Sequence, residues 1–331
     1  MFSKKSITKT VISIADDYIL YLTLAKDPQG FFVDSFGEVA LDPGVVVGGE
    51  ILKADFLGQI LKKIAKETKN KDIDIVLPHD YFLYEDIHLE GKGDPKKQVA
   101  EYLKENPQEK DWMHSHVAEA LMYADVKENR CLFQALSKEM REAYLHVLGL
   151  SGFKVRSFGS KILSFDHLIG AERTTFMYVD DTYSRIVEFK NGMYHSDKKF
   201  QVAYSQFIKD ISKILSSDPE KARHILARYG LLRSHKDQDV YKSLIRSMGP
   251  LVNFLGQKKN AQLRPRLLVV FGDFPIPGFV DICTKTFKGQ VREFDVLNQS
   301  GYQFHEVLSL HRDKSYRYQS LIAQALKKWQ K

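Results

Sequence analysis

Val11-Ile-Ser-Ile-Ala-Asp-Asp-Tyr-Ile-Leu-Tyr-Leu22 and Phe176-Met-Tyr-Val-Asp-Asp-Thr-Tyr-Ser-Arg-Ile-Val-Glu-Phe189 each read as a strand, a tight turn opened by Asp-Asp, and a returning strand. Asp suits such turns because its short side chain hydrogen-bonds its own backbone and tolerates unusual dihedrals. The two stretches begin 165 residues apart, and each is followed by a further strand and then a helix. That repetition predicts two similar halves around a cleft.

Outward from the first hairpin, Gly30 to Leu41 predicts a third strand and Asp55 a cap for a helix through Lys66, with Phe56, Ile60 and Ile64 as its apolar stripe. Ile73 to Leu77 is a short buried strand ended by Pro78 and His79. From Tyr81 to about Ser157 the pattern departs from this plan and predicts an inserted module. It comprises a strand over 81–89, a turn into a helix ending near Pro107, a polar His-containing segment, a strand over 131–136, a helix over 138–150 stopped by Gly152, and a strand over 154–158. A helix over 161–169 leads to the second half. There Asn191-Gly192 closes a hairpin, Asp218 and Pro219 open a helix, Gln238 to Leu255 reads as one long helix, and Leu267 to Phe271 is a buried strand. The expected division is 1–78 and 174–314 for the two halves, 79–158 for the insertion, 159–173 for a connecting helix, and 315–331 for a C-terminal helix packed on the first half. The fold class is α/β, with a duplicated mixed sheet and a small α+β insertion.

The 331 residues, 44% hydrophobic and 27% charged, suffice for two domains without metal or disulfide support. Cys131 and Cys283 sit in apolar stretches and read as reduced core residues. The apolar segment from Val11 is broken by Asp16 and Asp17, so no signal peptide is expected, and the Leu267–Phe271 run is too short to span a bilayer. The net charge of +7 is uneven: residues 199–266 hold fourteen basic and five acidic side chains. Such a face suits an anionic membrane or an acidic partner, whereas no zinc spacing or RNA-binding aromatic signature argues for nucleic acid. His79, His88, His114 and His116 lack a Cys or acid to complete a ligand set, and the scattered serines form no nucleophile elbow.

Several stretches together resemble the actin-like ATPase superfamily and, within it, the PilM proteins of type IV pilus assembly. They are Gly48-Gly-Glu-Ile-Leu52, Val76-Leu-Pro-His79, Ala135-Leu-Ser-Lys138 leading to Leu148-Gly-Leu-Ser-Gly-Phe153, Ser217-Asp-Pro-Glu-Lys-Ala222, Phe271-Gly-Asp-Phe-Pro-Ile-Pro-Gly278 and Leu321-Ile-Ala-Gln-Ala-Leu326. The resemblance implies an actin-like two-domain fold. It also implies loops that, in ATP-holding members, carry Asp-x-Gly and a Lys, because only glycine lets backbone amides approach phosphate. Here Ser13, Ala15 and Leu20 stand at those places in the first hairpin, and Tyr178-Val179-Asp180 with Asp181, Thr182 and Tyr183 in the second. Ala203-Tyr204 replaces a Gly-Gly pair; the last loop keeps Gly272 and Gly278 around Asp273, with Phe271, Pro275 and Pro277 altering it.

Asp16, Asp17, Asp180, Asp181, Gly272, Asp273 and Gly278 therefore mark a degenerate nucleotide cleft, in which carboxylates repel a triphosphate. No cofactor is expected, with ATP and magnesium disfavoured, and the enzyme expectation is a pseudo-ATPase. Four carboxylates meeting on a divalent cation is the sharper alternative; the blander one is that Asp-Asp simply opens hairpins. As the resemblance implies, the partner is the N-terminal tail of a bitopic inner-membrane protein similar to PilN. It is expected near Leu77, His79, Tyr81, Leu83, Leu132 and Phe133, on a cytoplasmic scaffold peripheral to the inner membrane, with an anionic membrane surface and self-association as further expectations. The alternatives are an ATP-binding switch or weak ATPase of the same fold, and a membrane-associated division or filament protein similar to FtsA, for which the C-terminal helix would be the anchor.

Overall fold

The computed structural model describes residues 7–68, 70–88, 94, 97–98, 101–102, 105, 117–125, 130–168, 174–190, 193–232, 237–257, 267–272, 276–287, 290–299, 302–304 and 312–327. The chain forms two compact units, one of residues 1–167, 302–309 and 320–331, the other of 168–301 and 310–319.

The first unit opens with β1 (Ile7–Ile14), β2 (Tyr18–Asp27) and β3 (Gly30–Ala40). A two-residue-strand hairpin, β4 (Val46–Val47) and β5 (Glu50–Ile51), precedes α1 (Ala54–Glu67) and β6 (Asp72–Leu77). A 3-10 turn, His79–Tyr81, leads to β7 (Phe82–His88), β8 (Val117–Asp125), β9 (Arg130–Ser137), α2 (Lys138–Leu150) and β10 (Lys154–Ser160). The main sheet has the order β10-β6-β1-β2-β3, with β1, β2 and β3 antiparallel and β6 and β10 parallel to β1. Its central strands are buried along most of their length, as a sheet covered on both faces requires, with Thr10 of β1 hydrogen-bonded to Thr23 of β2 in the interior.

The second unit begins with β11 (Thr174–Val179), β12 (Ser184–Lys190) and β13 (Met193–Phe200). Four helices follow: α3 (Tyr204–Leu215), α4 (Pro219–Tyr229), α5 (Gln238–Ser247) and α6 (Gly249–Gln257). Then come β14 (Leu267–Gly272), α7 (Phe279–Phe287), β15 (Gln290–Glu293), α8 (Val296–Gln299) and α9 (Arg312–Lys327), the last continuing into residues of the first unit. The sheet order β13-β12-β11-β14-β15 repeats the first unit strand for strand: an antiparallel meander extended by two parallel strands. The duplication predicted from the two hairpins is thus a duplication of whole sheets. Its core packs Met177, Ile186, Phe207, Ile211, Leu226 and Leu244.

Several local expectations are corrected. Lys53, not Asp55, occupies the α1 cap, and Asp55 lies in the first turn, where its charge favours the positive helix end. The buried stripe of α1 is Leu57, Leu61, Ile64 and Ala65, leaving Phe56 40% exposed. Residues 117–125, within the stretch read only as a polar His-containing segment, form β8. Residues 154–160 are the fifth strand of the main sheet rather than part of the insertion. The helix expected over 161–169 is a 3-10 stretch, Leu163–Leu168, and the one over 238–255 breaks at Met248, ahead of Gly249-Pro250. Asn191-Gly192, His114 and His116 lie outside the described residues.

Other expectations are met. Asp218 caps α4, its carboxylate accepting from the Lys221 amide at 2.8 Å, and Gly152 ends α2 at φ +86°. Cys283 is buried, and burial pushes its thiol up to about 12. The apolar residues of α9, Leu321, Ile322 and Leu326, are buried; within the first unit Lys9 Nζ donates to the Ala325 carbonyl, and Lys327 Nζ to Asp166 at 2.7 Å. A detached membrane anchor needs that apolar face free.

Tyr21 and Gly37 are cross-strand partners, and a side chain at Gly37 would run into the Tyr21 ring. The ring crosses the glycine, and its hydroxyl donates to Glu67 at the end of α1. Burial, then the Glu67 carboxylate, pushes the Tyr21 hydroxyl up to about 12. The sign follows: the stability this contributes is complete below pH 10 and lost as pH rises toward 12, because the unfolded phenol ionises first. In urea titrations at stepped pH, Tyr21→Phe should remove that part of the alkaline loss. Leu61→Ala should cost about 2–5 kcal/mol, while Phe56→Ala should stay within about 0.5 kcal/mol.

Candidate functional site

The two hairpin turns are built alike. Ala15 N donates to the Tyr18 carbonyl at 3.0 Å, and Asp180 N to the Tyr183 carbonyl at 2.8 Å. Ile14 pairs with Ile19 and Val179 with Ser184, so Ala15 corresponds to Asp180 and Tyr18 to Tyr183. The two Asp-Asp pairs are therefore offset by one residue, and the sequence repeat that suggested four equivalent carboxylates is not a structural one.

In the first unit, Asp16 has a specific task. Its carboxylate accepts from the Gly48 amide at 2.8 Å and the Gly49 amide at 3.3 Å, and from the Tyr81 hydroxyl. Gly48 and Gly49 both have positive φ, +57° and +87°, which turns two successive N–H groups toward one anion. A side chain at Gly49 would strike Met140 and the Tyr81 ring at under 3 Å, as the nearest contacts of 2.8 and 2.9 Å measure. Behind this junction Tyr144 is fully buried with no hydrogen-bond partner for its hydroxyl, and burial, with Asp16 adding to it, raises its pKa. Asp17 is exposed, and its carbonyl accepts from the Leu41 amide at 2.8 Å.

In the second unit, Asp180 is buried. Its Oδ1 accepts from the Asp181 amide at 2.6 Å and its Oδ2 from the Tyr178 hydroxyl at 3.3 Å. The carbonyls of Asp180 and Asp181 accept the first amides of α3, Tyr204 N and Ser205 N, each at 3.0 Å, and Ser205 Oγ adds a second bond to Asp181 at 2.5 Å. These N–H groups, free at an open helix start and suited to phosphate, here have partners within the chain. Gly272 lies opposite Val179 across parallel strands, where a Cβ would be 2.6 Å from the Val179 carbonyl; Gly278, at φ +79°, is pressed against Leu231 in the same way. Both glycines thus have packing reasons. Near them Val179, Gly272, Gly278, Asp281, Glu293 and Tyr316 line a cavity of about 110 Å³. That is below the roughly 300–1,000 Å³ of small-molecule pockets, and two of its walls are acids. Asp273 lies outside the described residues. Among the described residues no group of acids, histidines or cysteines has metal-ligand geometry.

The residues expected to meet a partner divide. Leu77 and His79 are buried. The His79 ring stacks on Tyr84 with centroids 4.2 Å apart, and its Nδ1 lies 2.9 Å from both the Ser160 and Tyr84 hydroxyl oxygens. They support the surface without reaching it. Tyr81 and Leu83 are half-buried, and β7 is an outer strand of the sheet β7-β9-β8. Leu132 and Phe133 fall in β9, opposite Asp86 and Glu85; their side chains lie outside the described residues.

Sequence reasoning missed one surface. Val47, Leu52 and Phe56 are 50%, 59% and 40% exposed on the β4–β5 hairpin and the first turn of α1. The hairpin joins Tyr81 through Gly49, so this apolar surface adjoins the start of β7. Exposed acids, Glu50 and Asp55, occur on the same segments, with Asp80 beside Tyr81 and Glu139 in the first turn of α2. Val47 beside two glycines and Leu52 just outside the helix were the available signals.

Two sheets of identical order, each with its own helices and a small α+β insertion in the first, constitute the actin-like two-domain fold. No protein-family model and no curated protein sequence matches the chain. Solved structures do: the chain is similar to the PilM-PilN type IV pilus biogenesis complex over 96% of its length and 98% of that chain, with a TM-score of 0.75 at 12% identity. It is also similar to MreB 5 of Spiroplasma citri bound to AMPPNP, over 97% and 96% of the two chains (TM-score 0.56, 10% identity). A third likeness, to the ethanolamine utilization protein EutJ from Carboxydothermus hydrogenoformans, covers 97% and 89% (TM-score 0.52, 10% identity). At these identities the likeness establishes the fold.

Asp16 and Gly49 hold one junction, so Asp16→Ala and Gly49→Ala should each lower stability by about 1–3 kcal/mol. Their effects should add to less than the sum in a double-mutant cycle read by urea unfolding.

Proposed function

We propose that the chain is a scaffold of a type IV pilus or related secretion assembly machine, working on the cytoplasmic face of the inner membrane without ATPase chemistry. It binds the N-terminal tail of a bitopic inner-membrane protein similar to PilN. The observation that carries this reading is the likeness to the PilM-PilN complex, whose TM-score of 0.75 spans nearly the whole of both chains.

The tail site on this reading is the apolar surface of Val47, Leu52 and Phe56 together with Tyr81 and the outer strand β7. An extended segment gains main-chain bonds by adding to a sheet edge and specificity from alternate side chains over an apolar surface. Acids on the same segments suit a tail carrying lysine or arginine, the usual bias of cytoplasmic segments of membrane proteins. The pseudo-ATPase part is supported by the intrachain partners of the Tyr204 and Ser205 amides and by the buried carboxylate of Asp180.

Calorimetry tests both parts. A synthetic PilN-like tail should bind, and Leu52→Asp with Phe56→Asp should weaken it by at least about tenfold, as loss of two anchoring contacts implies. ATP with magnesium should give no heat. Binding of ATP tighter than about millimolar, a dissociation energy near 4 kcal/mol, would favour the nucleotide-switch alternative, and a tail that binds neither wild type nor variant would remove the pilus reading.

A further inference from the structure

The charge of the chain is divided between its units. The first holds 25 basic and 27 acidic residues, the second 24 basic and 15 acidic. The second unit's entire excess of nine falls within residues 199–266, the stretch of the helical layer α3–α6, where fourteen basic residues stand against five acidic ones.

On α4, Lys221, His224 and Arg228 recur at spacings of three and four, so they follow one helix face, and all three are exposed. With Ile225 and Tyr229 they line a groove of about 420 Å³. The Arg228 guanidinium stands 5.3 Å from the Tyr229 ring centre, which holds the cation beside the groove. Asp218 and Glu220 lie at the other end; the Asp218 carboxylate is engaged as the helix cap. The neighbouring helix α3 carries Lys213 and Ile214 in its last turn, with Ile214 37% exposed, ends at Leu215 and turns through Ser216 in the left-handed region toward α4. An aliphatic side chain therefore stands exposed between Lys213 and Lys221 in the chain, at the corner that joins the two helices.

We propose that the α4 groove and the α3–α4 corner bind an anionic lipid surface, with Lys221 and Arg228 meeting headgroup phosphates and Ile214 entering the headgroup boundary. This rests on the reading above that the chain works against a membrane. Phosphate on nucleic acid would offer the same charge. Single-strand binding, however, depends on open aromatic platforms, and the one aromatic ring here, Tyr229, is paired with Arg228. An exposed aliphatic side chain beside cations instead suits an interface that takes up apolar groups. The contact is individually weak and adds to tail binding by raising the local concentration of one site while the other is engaged.

Vesicle flotation of the full chain tests the inference, using phosphatidylglycerol-rich and pure phosphatidylcholine vesicles at about 0.1 M salt, where the screening length is about 10 Å. The wild type should float with the anionic vesicles only. Lys221→Glu with Arg228→Glu should lower the bound fraction by at least about fivefold per cation, the ratio corresponding to ~1 kcal/mol per basic residue near an anionic surface. Lys62→Glu with Lys63→Glu, exposed on α1 of the first unit, should leave flotation unchanged. Matching thermal unfolding of the three proteins excludes misfolding as the cause. Equal loss in the α1 control, no flotation of the wild type, or an oligonucleotide bound through Lys221 and Arg228 in place of vesicles would each overturn the proposal. Titrating the same preparations with the tail peptide separates the two readings: tail binding without flotation removes only the lipid contact, and flotation without tail binding removes only the scaffold reading.

Discussion

Two glycine amides at positive φ point at one place, and the carboxylate that fills it is Asp16, from 32 residues earlier in the chain. A pair of successive N–H groups arranged in this way is an anion site. Because the anion is supplied by the β1–β2 turn, the turn, the β4–β5 hairpin and Tyr81 become one junction, and the insertion that begins after Tyr81 starts from a fixed point. The apolar surface of Val47, Leu52 and Phe56 owes its position to the same junction, since the hairpin carrying it is held there.

The second unit answers the same physical demand differently. Its turn has Asp180 where the first has Ala15, and the carboxylate is buried against its own backbone and the Tyr178 hydroxyl. The carbonyls on either side of that bend accept the start of α3. In both units, polar groups suited to holding an external phosphate have partners in the chain itself. Backbone groups buried near a turn need partners in any case. On the proposed reading, an actin-like sheet pair serves as a frame for surfaces elsewhere, on the hairpin of the first unit and the helical layer of the second.

Much of this was legible in the sequence because the signals are local. The strands of both meanders follow from apolar runs bounded by turns, and α4 follows from Asp218 and Pro219, a cap and a first-turn proline. Where the outcome depends on distant partners the sequence misleads. Val117–Asp125 is rich in Ala, Glu, Leu and Met, yet pairing along β9 makes it a strand. On α1 two stripes one residue apart are both apolar, and only packing against α2 and the sheet selects Leu57 and Leu61 over Phe56. The Asp-Asp repeat located the hairpins correctly but hid the one-residue offset, which only the strand register reveals. His79, expected among the partner-facing residues, is a buried link between β7 and β10.

Hydrogen exchange at the amides of Gly48, Gly49, Tyr204 and Ser205 tests the central claim most directly, because these are the donors a bound phosphate would need to recruit. With their partners inside the chain, they should exchange slowly in the free protein and at the same rate when ATP and magnesium are added at millimolar concentration. Fast exchange in the free protein, slowed on adding nucleotide, would contradict the account and place phosphate where the chain's own oxygens are described.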